Sequence, residues 1–199
     1  MNCPFKRNSH HHGDLKAELI SATKALVVQN GADAVSINQA ARQAGVSTAA
    51  PYKHFKDRDA LLTCVAHDCM SEMQEQTREI LARHDQGSLE GIVAIAQNYI
   101  RFAVENANIF KLMFSQTRAH DDDDEMMEKS PEGFRLVREA VGFHLGCGAD
   151  DKEAVDRSFM IWSFVHGLSF IVIDEKSKAV GVALDLDHVI ENGVTRLLA

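Results

Sequence analysis

The chain has 199 residues, 45% hydrophobic and 25% charged, with 21 Lys and Arg against 29 Asp and Glu for a formal net charge of −8. This suits a soluble globular protein with one good core or two modest ones, and excludes a collagenous or low-complexity chain. No run of about 20 apolar residues is available to cross a bilayer, and no apolar segment follows the N-terminal charges, so a cytoplasmic protein without a membrane partner is expected.

Charge is unevenly spread. Residues 1–60 sum to +3 and the remainder to −11. Counterion release is local to a contact surface, so the basic N-terminal part is compatible with a polyanionic partner, and the acidic part is expected to face away from it. Residues 1–13 form a polar arm with Lys6, Arg7 and His10–His12. Such an arm reads either as a reach toward a nucleic-acid backbone or minor groove, or as simple disorder.

Leu15, Leu19, Ala22 and Leu26 share one helical face, and Gly31 ends that helix. Ser36 is placed to cap a second helix, with Ile37, Ala40, Ala41 and Ala44 on its apolar face. Gly45 closes it, Val46 fills the angle, and Ser47 caps a short third segment from Thr48 to about Phe55. Pro51 falls inside the first turn of that segment, where it is tolerated. Phe55 turns inward, while Thr48, Tyr52, Lys53 and His54 stay outward, which suits base edges first and phosphates afterwards. Asp57 then caps a long helix to about His84, with Leu61, Leu62, Val65, Cys69, Met73, Gln76 and Ile80 at three- and four-residue steps.

The order of a capped helix, Ala-Gly-Val-Ser at 44–47, a short helix ending Tyr-x-His-Phe at 52–55, and a charged cap before Leu61-Leu62 resembles the DNA-binding domain of the tetracycline-repressor (TetR) family. Ala49, Ala50 and Pro51 depart from the Gly, Thr and Leu common there, which bears on operator sequence and not on fold. The resemblance implies double-stranded DNA as partner, read as two half-sites of a near-palindromic operator by a homodimer. Carried over residue by residue, it assigns DNA contacts to Ser47, Thr48, Ala49, Tyr52, Lys53, His54, Lys56 and Arg58, with Ser36 and Gln39 on the backbone.

Beyond residue 60, Ser88 starts a helix to about Asn106 with Ile92, Ile95, Tyr99, Phe102 and Ala103 as its stripe, followed by a short apolar helix at 107–114. The acidic stretch 118–130 lacks the glycine and alternating ligands of a calcium loop and reads as a solvated loop. Pro131 then opens a helix through Phe134, Val137, Val141 and Leu145, ended by Gly146. Between Phe159 and Ile173 both faces are apolar: Phe159, Trp162, Ser163, His166 and Phe170 on one, Ile161, Val165, Leu168 and Val172 on the other. A helix apolar all round must be covered on both sides, so one face is expected on the domain core and the other on a second subunit. With the closing helix at 186–198, this assigns a dimer interface to Val165, Leu168, Val172, Val189, Gly193, Val194 and Leu197.

Trp162 to Gly167 also resembles the Trp…His-Gly signature of one TetR subgroup. At helical spacing, Phe102, Phe110, Met113, Phe114, Phe134 and Trp162 read first as plain core. His166 reads first as a hydrogen-bonded core histidine, and no ligand at i±4 supports a metal. The resemblance adds the second reading, in which these seven line a site for a small apolar or amphipathic effector.

Cys3, Cys64, Cys69 and Cys147 lack CxxC spacing and read as reduced thiols. No phosphate-cradling Gly loop, nucleophile elbow or HExxH pair is present, so neither an enzyme nor a cofactor is expected. The sequence is thus read as all-α: an arm (1–13), a helix-turn-helix domain (14–60), and a helical effector-binding and dimerisation domain (61–199). Repression relieved by an effector is the expected output, with an architectural or protein-contacting DNA binder lacking an inducer as the alternative.

Overall fold

The computed structural model describes residues 15–115 and 124–199, with side chains from residue 132 onward in the second span. The arm at 1–13 and the acidic residues before Asp124 lie outside the described residues. The described elements are all helical: α1 (Leu15–Asn30), α2 (Ile37–Gln43), α3 (Arg58–Leu81), α4 (Leu89–Glu105), α5 (Ala107–Ser115), α6 (Asp124–Leu145), α7 (Lys152–Ile173), α8 (Lys176–Ala179) and α9 (Leu186–Leu198), with 3₁₀ turns at Ala32–Ala34 and Pro51–Lys53. Two compact units divide between Val65 and Ala66, within α3.

The first unit closes on Leu19, Ile37, Ala40, Phe55 and Leu61, with Leu15, Ile20, Leu26 and Val46 packed around them. The buried line of α1 is Leu19, Thr23 and Val27, one step round from the Leu19–Ala22–Leu26 stripe read from the sequence. A threonine can occupy the core here because its hydroxyl donates to the Leu19 carbonyl at 2.7 Å, which satisfies the polar atom within the helix.

The second unit is organised around α4, which is buried on most sides. Ile92, Ala96 and Ile100 meet Ala140 and Val141 of α6, Ile161, Val165 and Leu168 of α7, and Ile190, Val194 and Leu198 of α9. Ser88 caps α4 by accepting from the Gly91 N–H at 3.2 Å. In α3 the buried residue is Gln74, not Gln76. Gln76 is exposed and accepts from the Asn98 amide at 3.2 Å.

Helix α6 corrects one expectation. It begins at Asp124 rather than at Pro131, so Pro131 falls well inside it. Acidic residue types at a helix start are favoured by the positive end of the macrodipole, and an interior proline removes one backbone donor without making the rest of the helix unavailable.

Candidate DNA interface and aromatic wall

The DNA-facing geometry starts from two local devices. At the start of α2 the Gln39 N–H donates to Ser36 Oγ at 3.3 Å and the Ser36 N–H donates to Gln39 Oε1 at 2.8 Å, a reciprocal capping box. At its end the Val46 N–H reaches the Ala41 carbonyl at 2.9 Å and the Gly45 N–H reaches Arg42 at 3.1 Å. This Schellman closure turns the chain at Gly45, whose φ of +71° lies in the left-handed region.

Thr48 to Phe55 do not form the continuous helix expected of them. The chain makes a turn in which the Ala50 N–H donates to the Ser47 carbonyl at 3.0 Å, then one 3₁₀ turn at Pro51–Lys53. Pro51 supplies the reason, because it has no N–H to return to Ser47 and an α-helical ladder cannot start through it. Its ring is buried, and the His54 and Phe55 N–H groups both converge on its carbonyl at 2.9 Å. Pro51 and Phe55 (3% exposed) thus anchor the segment from below.

The outer side carries Ser47, Thr48, Ala49, Tyr52, Lys53, His54 and Lys56, all exposed, and Tyr52 is 57% exposed despite its size. Asp57 is engaged as the cap of α3, accepting from the Ala60 N–H at 2.8 Å. Arg58 departs from its assignment. Its Nε donates to the Val35 carbonyl at 2.7 Å, its Nη2 to the Ala32 carbonyl at 2.6 Å and its Nη1 to Asp59 at 2.9 Å. It is a clamp between the start of α3 and the loop before α2, with its donors directed inward. The sequence holds a signal for this: a cation in the first turn of a helix opposes the macrodipole and calls for partners elsewhere.

In the second unit, Phe102, Phe110 and Met113 are buried, whereas Phe114, Phe134, Trp162 and His166 are only half-buried. The rings meet around His166, with centroids of Phe114 at 4.5 Å, Phe170 at 5.2 Å, Trp162 at 5.3 Å and Phe110 at 5.6 Å. Phe134 extends the group through Trp162 at 6.3 Å. Tyr99 and Phe170 belong to this wall and are not among the seven residues assigned from the sequence. Phe170 follows His166 by one helical turn, and Tyr99 sits in the apolar stripe of α4, where its hydroxyl meets His166 Nδ1 at 2.9 Å. Burial holds the His166 imidazole below its ordinary pKa and raises the Tyr99 phenol.

The assigned dimer residues divide. Val165 (4% exposed), Leu168 (8%) and Val194 (0%) are interior to the unit's own core and present no surface, which corrects their assignment. Val172, Val189 and Leu197 are half-buried against that core. Gly193 lies against Phe164 of its own chain, where an added Cβ would come within 2.4 Å of the ring. The outward face of α7 and α9 is a shallow groove of about 510 Å³ lined by Phe159, Met160, Ser163, Phe164, Gly193, Arg196 and Leu197. One-residue differences in helical phase separate these residues from the assigned ones.

A capped helix, a glycine turn and an exposed aromatic-basic segment anchored from beneath define a helix-turn-helix DNA-binding regulator with a helical second unit. Residues 19–64 match the family described as bacterial regulatory proteins, tetR family, and residues 92–197 match the tetracyclin repressor-like C-terminal domain. The chain belongs to the TetR family of transcriptional regulators. No curated protein matches it. Among solved structures, a protein of unknown function from Rhodococcus sp. RHA1 is similar over 96% of this chain and 97% of that one, at 22% identity and a TM-score of 0.82. The fatty acid regulator FadR from Bacillus subtilis, in complex with stearoyl-CoA, covers 92% and 97% at 15% identity and a TM-score of 0.67. RolR in complex with resorcinol covers 92% and 86% at 20% identity and a TM-score of 0.63. At these identities the likeness is one of fold. Among the described residues no helix is long and apolar enough to cross a membrane.

Proposed function

We propose that the protein is a repressor that occupies a near-palindromic operator as a homodimer and leaves it when a small molecule binds the second unit. The observation that carries this reading is the exposed segment from Ser47 to Lys56, held by the buried Pro51 and Phe55. Thr48, Ala49 and Tyr52 offer a small polar, a methyl and an aromatic group to base edges, and Lys53, His54 and Lys56 offer donors to phosphates. Ser36 and Gln39 hold the entry to α2 beside them, and Arg58 fixes α3 as a support.

Homodimerisation is assigned to the outward α7–α9 groove. Exposed Phe159 and Met160 are the residues that a second copy would cover, and a two-fold axis in the protein would set the near-palindrome in the DNA. Support for an effector comes from the half-exposed rings of α5, α6 and α7. A filled core would have buried them as completely as it buries Phe110. Release is then linkage: an effector that prefers the conformer with badly spaced reading segments lowers DNA affinity by the factor that DNA lowers its own.

Selection of bound fragments from genomic DNA, with and without small-molecule cell extract, tests the reading. Enrichment of two inverted half-sites, lost when extract is added, is the expected result. Fragments with no common half-site would contradict it.

A further inference from the structure

The donor and acceptor inventory of the aromatic wall narrows what can bind there. The Trp162 indole lies within hydrogen-bonding reach of the Tyr99 oxygen, and an indole N–H can only donate. The Tyr99 oxygen therefore accepts from Trp162, and its own proton points to His166 Nδ1 at 2.9 Å. An imidazole that accepts at Nδ1 carries its proton on Nε2, and burial keeps it neutral. The relay from Trp162 through Tyr99 thus makes His166 Nε2 a fixed donor, set among rings at 4.5 to 5.6 Å.

Two further polar atoms border the same wall. Arg138 sits one turn beyond Phe134, its guanidinium 5.9 Å from that ring's centroid and its Nη1 on Asp150 at 2.9 Å. Its Nε is buried with no hydrogen-bond partner among the described residues, and the same holds for Oγ of Ser158, which is 0% exposed and one turn before Trp162. Phe134 and Trp162 face each other, so consecutive turns of α6 and α7 bring both atoms to one end of the wall. Buried polar atoms without partners are uncommon and mark where a polar group is missing. Both can donate, as His166 Nε2 does.

From flat ring faces bordered by donors, we infer that the effector is a planar aromatic molecule bearing oxygen acceptors, an aromatic acid or phenol, held face-on by Trp162 and Phe114 and by its oxygens on His166 and Arg138. This rests on the reading of the second unit as effector-binding. A flat π system gains from offset or edge-to-face ring contacts that a saturated body of equal size does not make.

The test uses the full-length protein and isothermal calorimetry with 2-naphthoate, its decahydro counterpart and naphthalene. Naphthoate is expected to bind at least about tenfold tighter than the saturated acid. His166→Phe should weaken naphthoate about tenfold and leave naphthalene within about twofold, and Tyr99→Phe should cost naphthoate about threefold by freeing the tautomer. Thermal melts confirm that each variant is folded, and Arg138→Met gives a second, independent removal of a donor with the same expected sign. Equal binding of the saturated acid, no naphthoate binding, or no effect of either donor variant overturns the inference. If cell extract releases operator DNA while naphthoate does not bind, the effector reading stands and this inference falls. If naphthoate binds as described and nothing releases DNA, the aromatic site stands and the release mechanism falls.

Discussion

The two units are built by different means. In the first, structure is set by short-range chemistry: the Ser36–Gln39 capping box, the Gly45 turn, the missing donor of Pro51 and the Asp57 cap. In the second, the same helical periodicity is shared by several apolar faces, and tertiary packing decides which of them is interior. The consequence is functional, because the exposed reading segment is held rigidly by local anchors, while half-exposed rings in the second unit are available to a ligand.

The largest expected effects come from removing the anchors of either unit. Phe55→Ala and Phe110→Ala each create a cavity in a closed core and should cost about 3–5 kcal/mol in denaturant unfolding. They should differ in consequence, with Phe55→Ala abolishing operator binding. A Phe55→Ala protein that keeps both stability and operator affinity would remove the proposed difference between the units. Next in size is Gly193→Ala, where the new Cβ meets Phe164 and overpacking should cost about 1–3 kcal/mol; an unchanged melting temperature would show that Phe164 moves aside freely. Ser36→Ala removes the capping box of α2, and about 1 kcal/mol of stability should be lost by chemical denaturation.

The smallest effect is a pH dependence. Burial lowers the His166 pKa in the folded state, so above its unfolded value of about 6.5 the group is neutral in both states and contributes no pH dependence. As pH falls below about 6.5, the unfolded chain takes up a proton that the folded chain resists, and stability declines toward the folded pKa. The slope of stability between pH 7 and pH 5 should be shallower in His166→Phe than in the parent, and an identical slope would assign the effect elsewhere.

Legibility in the sequence follows the same division. The cap at Ser36, the turn at Gly45, the inward Phe55 and the outward Tyr52 can be read directly, because each depends on residues within a few positions. Arg58 reads as a DNA contact until its partners are known, and these, the carbonyls of Ala32 and Val35, lie more than twenty residues away. Pro51 passes for a tolerated helix residue where it enforces a 3₁₀ turn, since its effect depends on which donor the turn needs. In α7, Val165 and Leu168 cannot be separated from Phe159 and Met160 by periodicity, because all are apolar and only packing against α4 and α9 selects the interior face. Phe102, Phe110 and Met113 are buried as the plain-core reading requires, and the half-exposed state of Trp162 and His166 is information that spacing does not contain.

Everything functional depends on Lys53 and Lys56, on the exposed side of the Pro51–Phe55 anchor, facing DNA phosphates. Operator affinity of the parent and of the Lys53→Ala/Lys56→Ala double variant, measured by fluorescence anisotropy across a salt series, tests this most directly. Affinity should fall by at least about tenfold at moderate salt, and the slope of log affinity against log salt should drop by about 2, one for each lost phosphate contact. A folded variant with unchanged affinity and slope would contradict the placement of DNA on this face.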